Sequence, residues 1–255
     1  MISDIKSQID EYVKDKTWYW YVPLWLFGLY AFILLLNFSP NNQSSFIIAI
    51  PQAFDFFLHE MAHILTAFLP AILTAAAGSF SELLLGVLLI LGAFKSKSYF
   101  AVLICALWFM LACQSAGIYM ADARTQKLAL VSLGGALSGS DKAIHDWNFV
   151  FGKLHIMNMD TFIGNSVRAV GILVGTTSLI FAAWLINKMA LAKNEKSLTI
   201  EESQLLTMSA ATSGVDTVSH KEKQESSTSI YPSASRGPLA ERDPQLVDKK
   251  LPPKL

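Results

Sequence analysis

The chain has 255 residues, of which 53% are hydrophobic and 16% charged, with 20 basic and 20 acidic residues in balance. Soluble domains carry about 25% charged residues, so this composition excludes an ordinary water-soluble domain and points to a membrane protein. The zero net charge offers no footprint for nucleic acid.

Residues 1–17 place Ile2, Ile5, Ile9, Tyr12 and Val13 at helical spacing with charges between them. This predicts an N-terminal helix lying on the membrane surface. The charged start followed by a long apolar run does not read as a cleavable signal peptide. A membrane domain is expected over residues 18–192, an all-α bundle of about five membrane segments. The first segment, 18–38, opens on Trp18-Tyr19-Trp20-Tyr21, an aromatic belt suited to the headgroup level. Ser39 to Gln43 is a polar turn.

The second segment, 44–69, carries the chemistry. His59-Glu60-Met61-Ala62-His63 is an H-E-x-x-H pattern within an apolar run. On a helix, positions i and i+4 lie on one face, so both imidazoles can reach one Zn2+. Glu60 then stands beside them as general base for a metal-bound water. Ionisable groups at membrane depth cost roughly 2.5–3.5 kcal/mol each on insertion scales, which marks all three as functional candidates. Asp55, four residues before His59, is expected to hold the outer nitrogen of that ring.

The third segment, 71–94, begins with small and polar residues, Thr74 to Glu82, suited to close backbone approach or to lining a cavity. Glu82 is a further candidate for supporting the site. The fourth, 99–121, holds Cys105 and Cys113, about 12 Å apart along a helix and too far for a disulfide. It ends on Asp122. A non-spanning region, 125–160, follows, with an N-cap cluster at Ser138 to Asp141 and a helix predicted over 142–159. The last span is 162–187, with Asn165 and Arg168 in its first turns. From 193 to 255 the sequence is rich in Ser, Thr, Glu, Lys and Pro, and a disordered tail is expected.

A catalytic zinc takes three protein ligands and leaves one position open. His59 and His63 supply two. His145, paired with Asp146 and Trp147 at the start of a helix, is the leading candidate for the third. Asp122 and Asp146 are the alternatives, with Glu82 and His155 behind them.

At these residues the chain resembles membrane-embedded zinc metallopeptidases of the site-2 protease kind. It is more closely similar to a group of uncharacterised bacterial multi-pass zinc metallopeptidases. The resemblance spans about 57–164. It rests on His59 to His63, Ala77-Gly78-Ser79, Tyr119 to Ala123, His145-Asp146-Trp147 and Asp160 to Gly164. It implies a bacterial cytoplasmic-membrane enzyme that hydrolyses a peptide bond in or near the bilayer. The Leu-Asp-Gly motif that gives site-2 proteases their third ligand is absent here, so that ligand must come from another residue. Two other functions fit the same residues: a non-catalytic metal-binding or ion-translocating membrane protein, and a zinc hydrolase acting on lipid.

Overall fold

A computed structural model describes residues 2–14, 16–39, 45–128 and 145–222, and no strand occurs among them. The helices are α1 (Ile2–Lys14), α2 (Tyr21–Leu36), α3 (Phe46–Leu65), α4 (Ala71–Lys95), α5 (Ala101–Ala121), α6 (Asp146–Lys153) and α7 (Asp160–Glu222). Among the described residues, four helical stretches are long and apolar enough to cross a membrane: Trp18–Leu36, Ala71–Lys95, Ala101–Ala121 and Met157–Ser209. The remaining expected segment, α3, has the length at 20 residues. Its Gln52, Asp55, His59, Glu60 and His63 make it too polar to count with the other four.

Helix α5 is the hub. It is apolar on every side, as a helix surrounded by other helices must be, and 67% of its most apolar window is buried. The contacts along it fix the direction of its neighbours. Asp55 meets Trp108 and His59 meets Tyr119, so α3 runs parallel to α5. Tyr21 meets Phe100 while Phe32 lies near Gly175, itself against Met110, so α2 is parallel as well. Helix α7 runs the opposite way, with Gly164 against Gly117, Gly171 against Cys113 and Gly175 against Met110. Helix α4 is also antiparallel, from the histidines back to Phe94 beside Tyr99. A Cβ on Gly117 would stand 2.5 Å from the carbonyl oxygen of Gly164. Glycine at that crossing lets the two backbones touch, the form of helix association that lipid favours.

Three features depart from the sequence expectation. The apolar face of α1 is covered by protein: Ile9 and Val13 are buried with Tyr99, Leu185 and Met189. The predicted helix 142–159 is shorter, spanning Asp146–Lys153 and followed by a 3-10 turn at Met157–Met159, and residues 142–144 lie outside the described ones. The last helix does not stop near 187 but continues to Glu222. Between Pro70 and Pro232 the chain has no proline. The exposed stretch 193–209 is rich in Lys, Glu, Gln and Leu, good helix formers that sustain a helix without burial. Residues from Ile200 onward form a unit of their own, and 223–255, most of the expected tail, lie outside the described residues.

Candidate metal centre

The site is assembled from the end of α3, the start of α4, the end of α5 and the first residue of α6. The i, i+4 spacing on α3 stacks the His59 and His63 rings with centroids 4.8 Å apart. Asp146 closes the group from α6. One ligand atom from each of His59, His63 and Asp146 can be chosen so that all lie within 4.8 Å of one another. Oδ2 of Asp146 stands 3.3 Å from Nε2 of His59 and 3.4 Å from Nε2 of His63. The three side chains are 12%, 22% and 19% exposed, enough for water or a small group to reach them.

Each imidazole is held from behind. Nδ1 of His59 lies 2.7 Å from Oε1 of Glu82, and Nδ1 of His63 lies 2.8 Å from the carbonyl oxygen of Thr74. A carbonyl can only accept, so Nδ1 of His63 carries a proton. When the ring is neutral, Nε2 is a lone pair facing Asp146; when it is protonated, Nε2 donates to that carboxylate instead. A carboxylate behind His59 does the same for that ring. This backing of the outer nitrogen by a carboxylate and a carbonyl is how metal-bound histidines are oriented. Three electron-pair donors facing one point repel one another unless they share a cation.

Gly78 makes the approach of α4 possible. A Cβ there would stand 2.5 Å from Nε2 of His59 and 2.6 Å from each flanking ring carbon, inside the ring's own space. Helix α6 is held in place by hydrogen bonds to α4 and to the end of α5. Trp147 donates its indole N–H to Ser79 (3.0 Å), and the Tyr119 hydroxyl donates to Oδ2 of Asp146 (3.0 Å) while accepting from the Asp146 backbone N–H (2.9 Å). Burial alone would push the Asp146 carboxyl up. Hydrogen bonds from His59 and His63, with their charges, outweigh it and hold the group well below the usual carboxylate range.

The structure brings some expected residues together and parts others. Glu82, a candidate for supporting the site, stands 2.7 Å from Nδ1 of His59. Glu60 follows His59 on α3, is half-buried, and lies in electrostatic range of Tyr119. His145 is not in the group that could hold a metal ion; its neighbour Asp146 is. His145 instead caps α6, accepting from the Asn148 N–H at 3.2 Å, and its ring stacks on Tyr119 with centroids 4.3 Å apart. Its Nε2 points toward Asp122, at 3.8 Å. Burial pushes its pKa down against the pull of Asp122 and Asp146, which keeps the ring neutral near pH 7. Asp122 is also outside the cluster, bound to the Thr125 hydroxyl and to the N–H groups of Lys127 and Leu128. Asp55 does not touch His59 but accepts from the Trp108 indole at 2.8 Å, because i−4 places it a full turn below a ring whose outer nitrogen turns to α4. His155 is exposed in the turn after α6, at φ 58°. Sequence reasoning missed Tyr119 and the Thr74 carbonyl. The first had a signal, a lone tyrosine three residues before an acid at the apolar helix's end; a backbone acceptor leaves none.

No family model, no curated protein and no solved structure matches this chain.

Proposed function

We propose that the protein is a membrane-embedded zinc metallopeptidase, with His59, His63 and Asp146 as metal ligands and Glu60 as general base. The observation that carries this reading is the pair of backed imidazoles: Glu82 and Thr74 turn both outer nitrogens away, and both inner nitrogens meet Asp146. Three ligands of this kind leave one position of a tetrahedral zinc open, as catalytic sites do and closed structural sites do not. A zinc ion held there would lower the pKa of a bound water to about 7 and polarise a carbonyl. Glu60 takes the proton released as water adds to the scissile carbonyl, then delivers it to the departing amine nitrogen as the C–N bond breaks. Thr74 and Glu82 bracket the site on α4, three and eleven residues from its start, which puts it roughly 5–16 Å along the helix axis. A substrate segment between the bilayer surface and its centre fits that depth.

The test is Glu60→Gln in purified protein. Loss of peptide cleavage with zinc still bound is expected; undiminished cleavage refutes the assignment. A second reading, ion translocation without catalysis, has one observation behind it. Oδ2 of Asp55 and Oε1 of Gln52 are buried without hydrogen-bond partners among the described residues, one and two turns below His59. Zinc uptake by proteoliposomes, abolished in Asp55→Asn, would favour that reading over hydrolysis.

A further inference from the structure

The directions of the helices gather most of the described cations up to Lys196 at one end of the bundle. Helix α1 packs on Leu185 and Met189 of α7 and on Tyr99 in the α4–α5 connection, so these three parts share one end. Lys188 reaches Asp10 of α1 at 2.6 Å. Between α1 and α7 lies a groove of about 620 Å³, walled by Lys14, Lys188 and Lys196 with Asp10 and Glu195, over an apolar floor that includes Val13 and Leu191. Lys95 and Lys97 stand exposed at the same end, after α4, and Lys193 lies over the Tyr19 ring at 5.1 Å. Trp18, Tyr19 and Trp20 form an exposed aromatic girdle at this level, the position such rings take at a membrane–water interface.

The metal cluster is at the other end. Cations there are sparse. Arg124 is spent on the buried Asp160, at 3.2 Å, and Arg168 turns inward to Gln114, at 2.8 Å. Lys127 and Lys153 are exposed, and Lys142 falls outside the described residues. Helices α2, α4, α5 and α7 alternate in direction, so α1 and the exit of α7 lie on one side of the membrane, as their mutual packing requires. Helix α3 ends on the cluster's side, where His63 meets the start of α4. Lys and Arg near span ends, not net charge, set orientation, and they favour the side of the anionic cytoplasmic leaflet.

We propose that the lysine-lined end is the cytoplasmic end, seated against anionic lipid headgroups, and that the His59–His63–Asp146 cluster opens at the outer face. The substrates of the centre are then segments on the outer side of the membrane, a clause that rests on the hydrolase reading; the orientation does not. The experiment is labelling with a membrane-impermeant maleimide in cells carrying the protein in their surface membrane. The native Cys105 and Cys113 lie within α5, and the parent chain, kept as background, should stay unlabelled. Lys153→Cys should be labelled in intact cells, and Lys95→Cys only after permeabilisation. The reverse pattern, or labelling of both in intact cells, overturns the proposal. If either variant fails to accumulate, a reporter that fluoresces only in the cytoplasm, fused after Leu255, decides instead: a bright fusion supports the orientation and a dark one overturns it. Neither result depends on metal or turnover, so a failed Glu60→Gln test and a failed orientation remain distinguishable.

Discussion

Gly78→Ala is the sharpest available probe of the site, because the three atoms nearest the new methyl all belong to His59. The added carbon would lie 2.5 Å from Nε2 of His59 and 2.6 Å from Cδ2 and Cε1. Near-equal distances to three atoms of the planar ring place it over the ring's face. Apolar contacts settle near 3.5–4.0 Å, so about 1 Å of relief is needed. The ring cannot supply it freely. Its outer nitrogen is tied to Glu82 at 2.7 Å, and moving along its normal takes Nε2 away from Asp146. Overpacking of this kind costs roughly 1–3 kcal/mol. If that cost falls on the ligand geometry, at about 1.4 kcal/mol per tenfold, zinc affinity drops roughly five- to hundredfold. Competition with a chromophoric chelator in detergent measures it. Gly86→Ala is the control: its Cβ would meet Phe109 at 2.8 Å and the Phe109 Cα at 3.0 Å, far from the histidines. It should lower thermal stability and leave zinc affinity alone. Equal affinities for the parent and both variants would refute the claim that α4 seats His59 through Gly78.

Asp146→Ala should cost more zinc affinity than the roughly 10–100-fold typical of losing an outer partner, whereas His145→Ala should retain zinc and lose about 0.5–2 kcal/mol of stability as a missing helix cap. Metal analysis beside thermal melts reads both; zinc loss in His145→Ala with zinc kept in Asp146→Ala reverses the assignment. Asp122 yields a pH prediction. Burial pushes its carboxyl up, but bonds from Thr125, Leu128 and Lys127 prevail and hold it below the ordinary carboxylate range. A depressed folded pKa adds stability above the unfolded value of about 3.9 and forfeits it as pH falls further. Melts from pH 6 to 3 should therefore show an acid loss in the parent that is flatter in Asp122→Asn; parallel curves would count against the clasp.

The fold class was legible because apolar runs of 20 or so residues are long and apolar enough to cross a membrane, and the four found need no tertiary information to recognise. The histidine pair was equally legible, since i, i+4 spacing is geometry internal to one helix. The third member of the group was not. His145 and Asp146 are neighbours, and which of them faces α3 is decided by where α6 begins. His145 has an extended backbone at the cap, Asp146 opens the helix, and the boundary was placed too early in sequence. The same limit explains Asp55. Its spacing to His59 was read correctly, but the preference of His59 for Glu82 arises from the packing of α4, which Gly78 permits. The N-terminal helix was recognised by period, while its cover of Tyr99, Leu185 and Met189 is long-range and left no local mark.

Charge balance in the cluster leads to a last prediction. With both rings protonated, His63 donates from Nδ1 to the Thr74 carbonyl and from Nε2 toward Asp146, and His59 stands between the Glu82 and Asp146 carboxylates as an imidazolium. Two imidazolium charges balance the Asp146 and Glu82 carboxylates. One divalent cation with two neutral imidazoles balances them equally. Protons and metal are thus alternative occupants of one electrostatic slot, and exchanging them leaves the net charge of a partly buried site unchanged, avoiding the cost of an unpaired buried charge. Zinc binding should then expel up to about two protons per ion, since histidine must be neutral to ligate. Titrating zinc into weakly buffered protein with a pH indicator measures the number directly. The release should shrink as pH rises past the imidazolium range and vanish in the His59→Ala/His63→Ala double variant. Zinc binding with no proton release at any pH would mean that the metal sits elsewhere, and the proposed ligand set would fall with it.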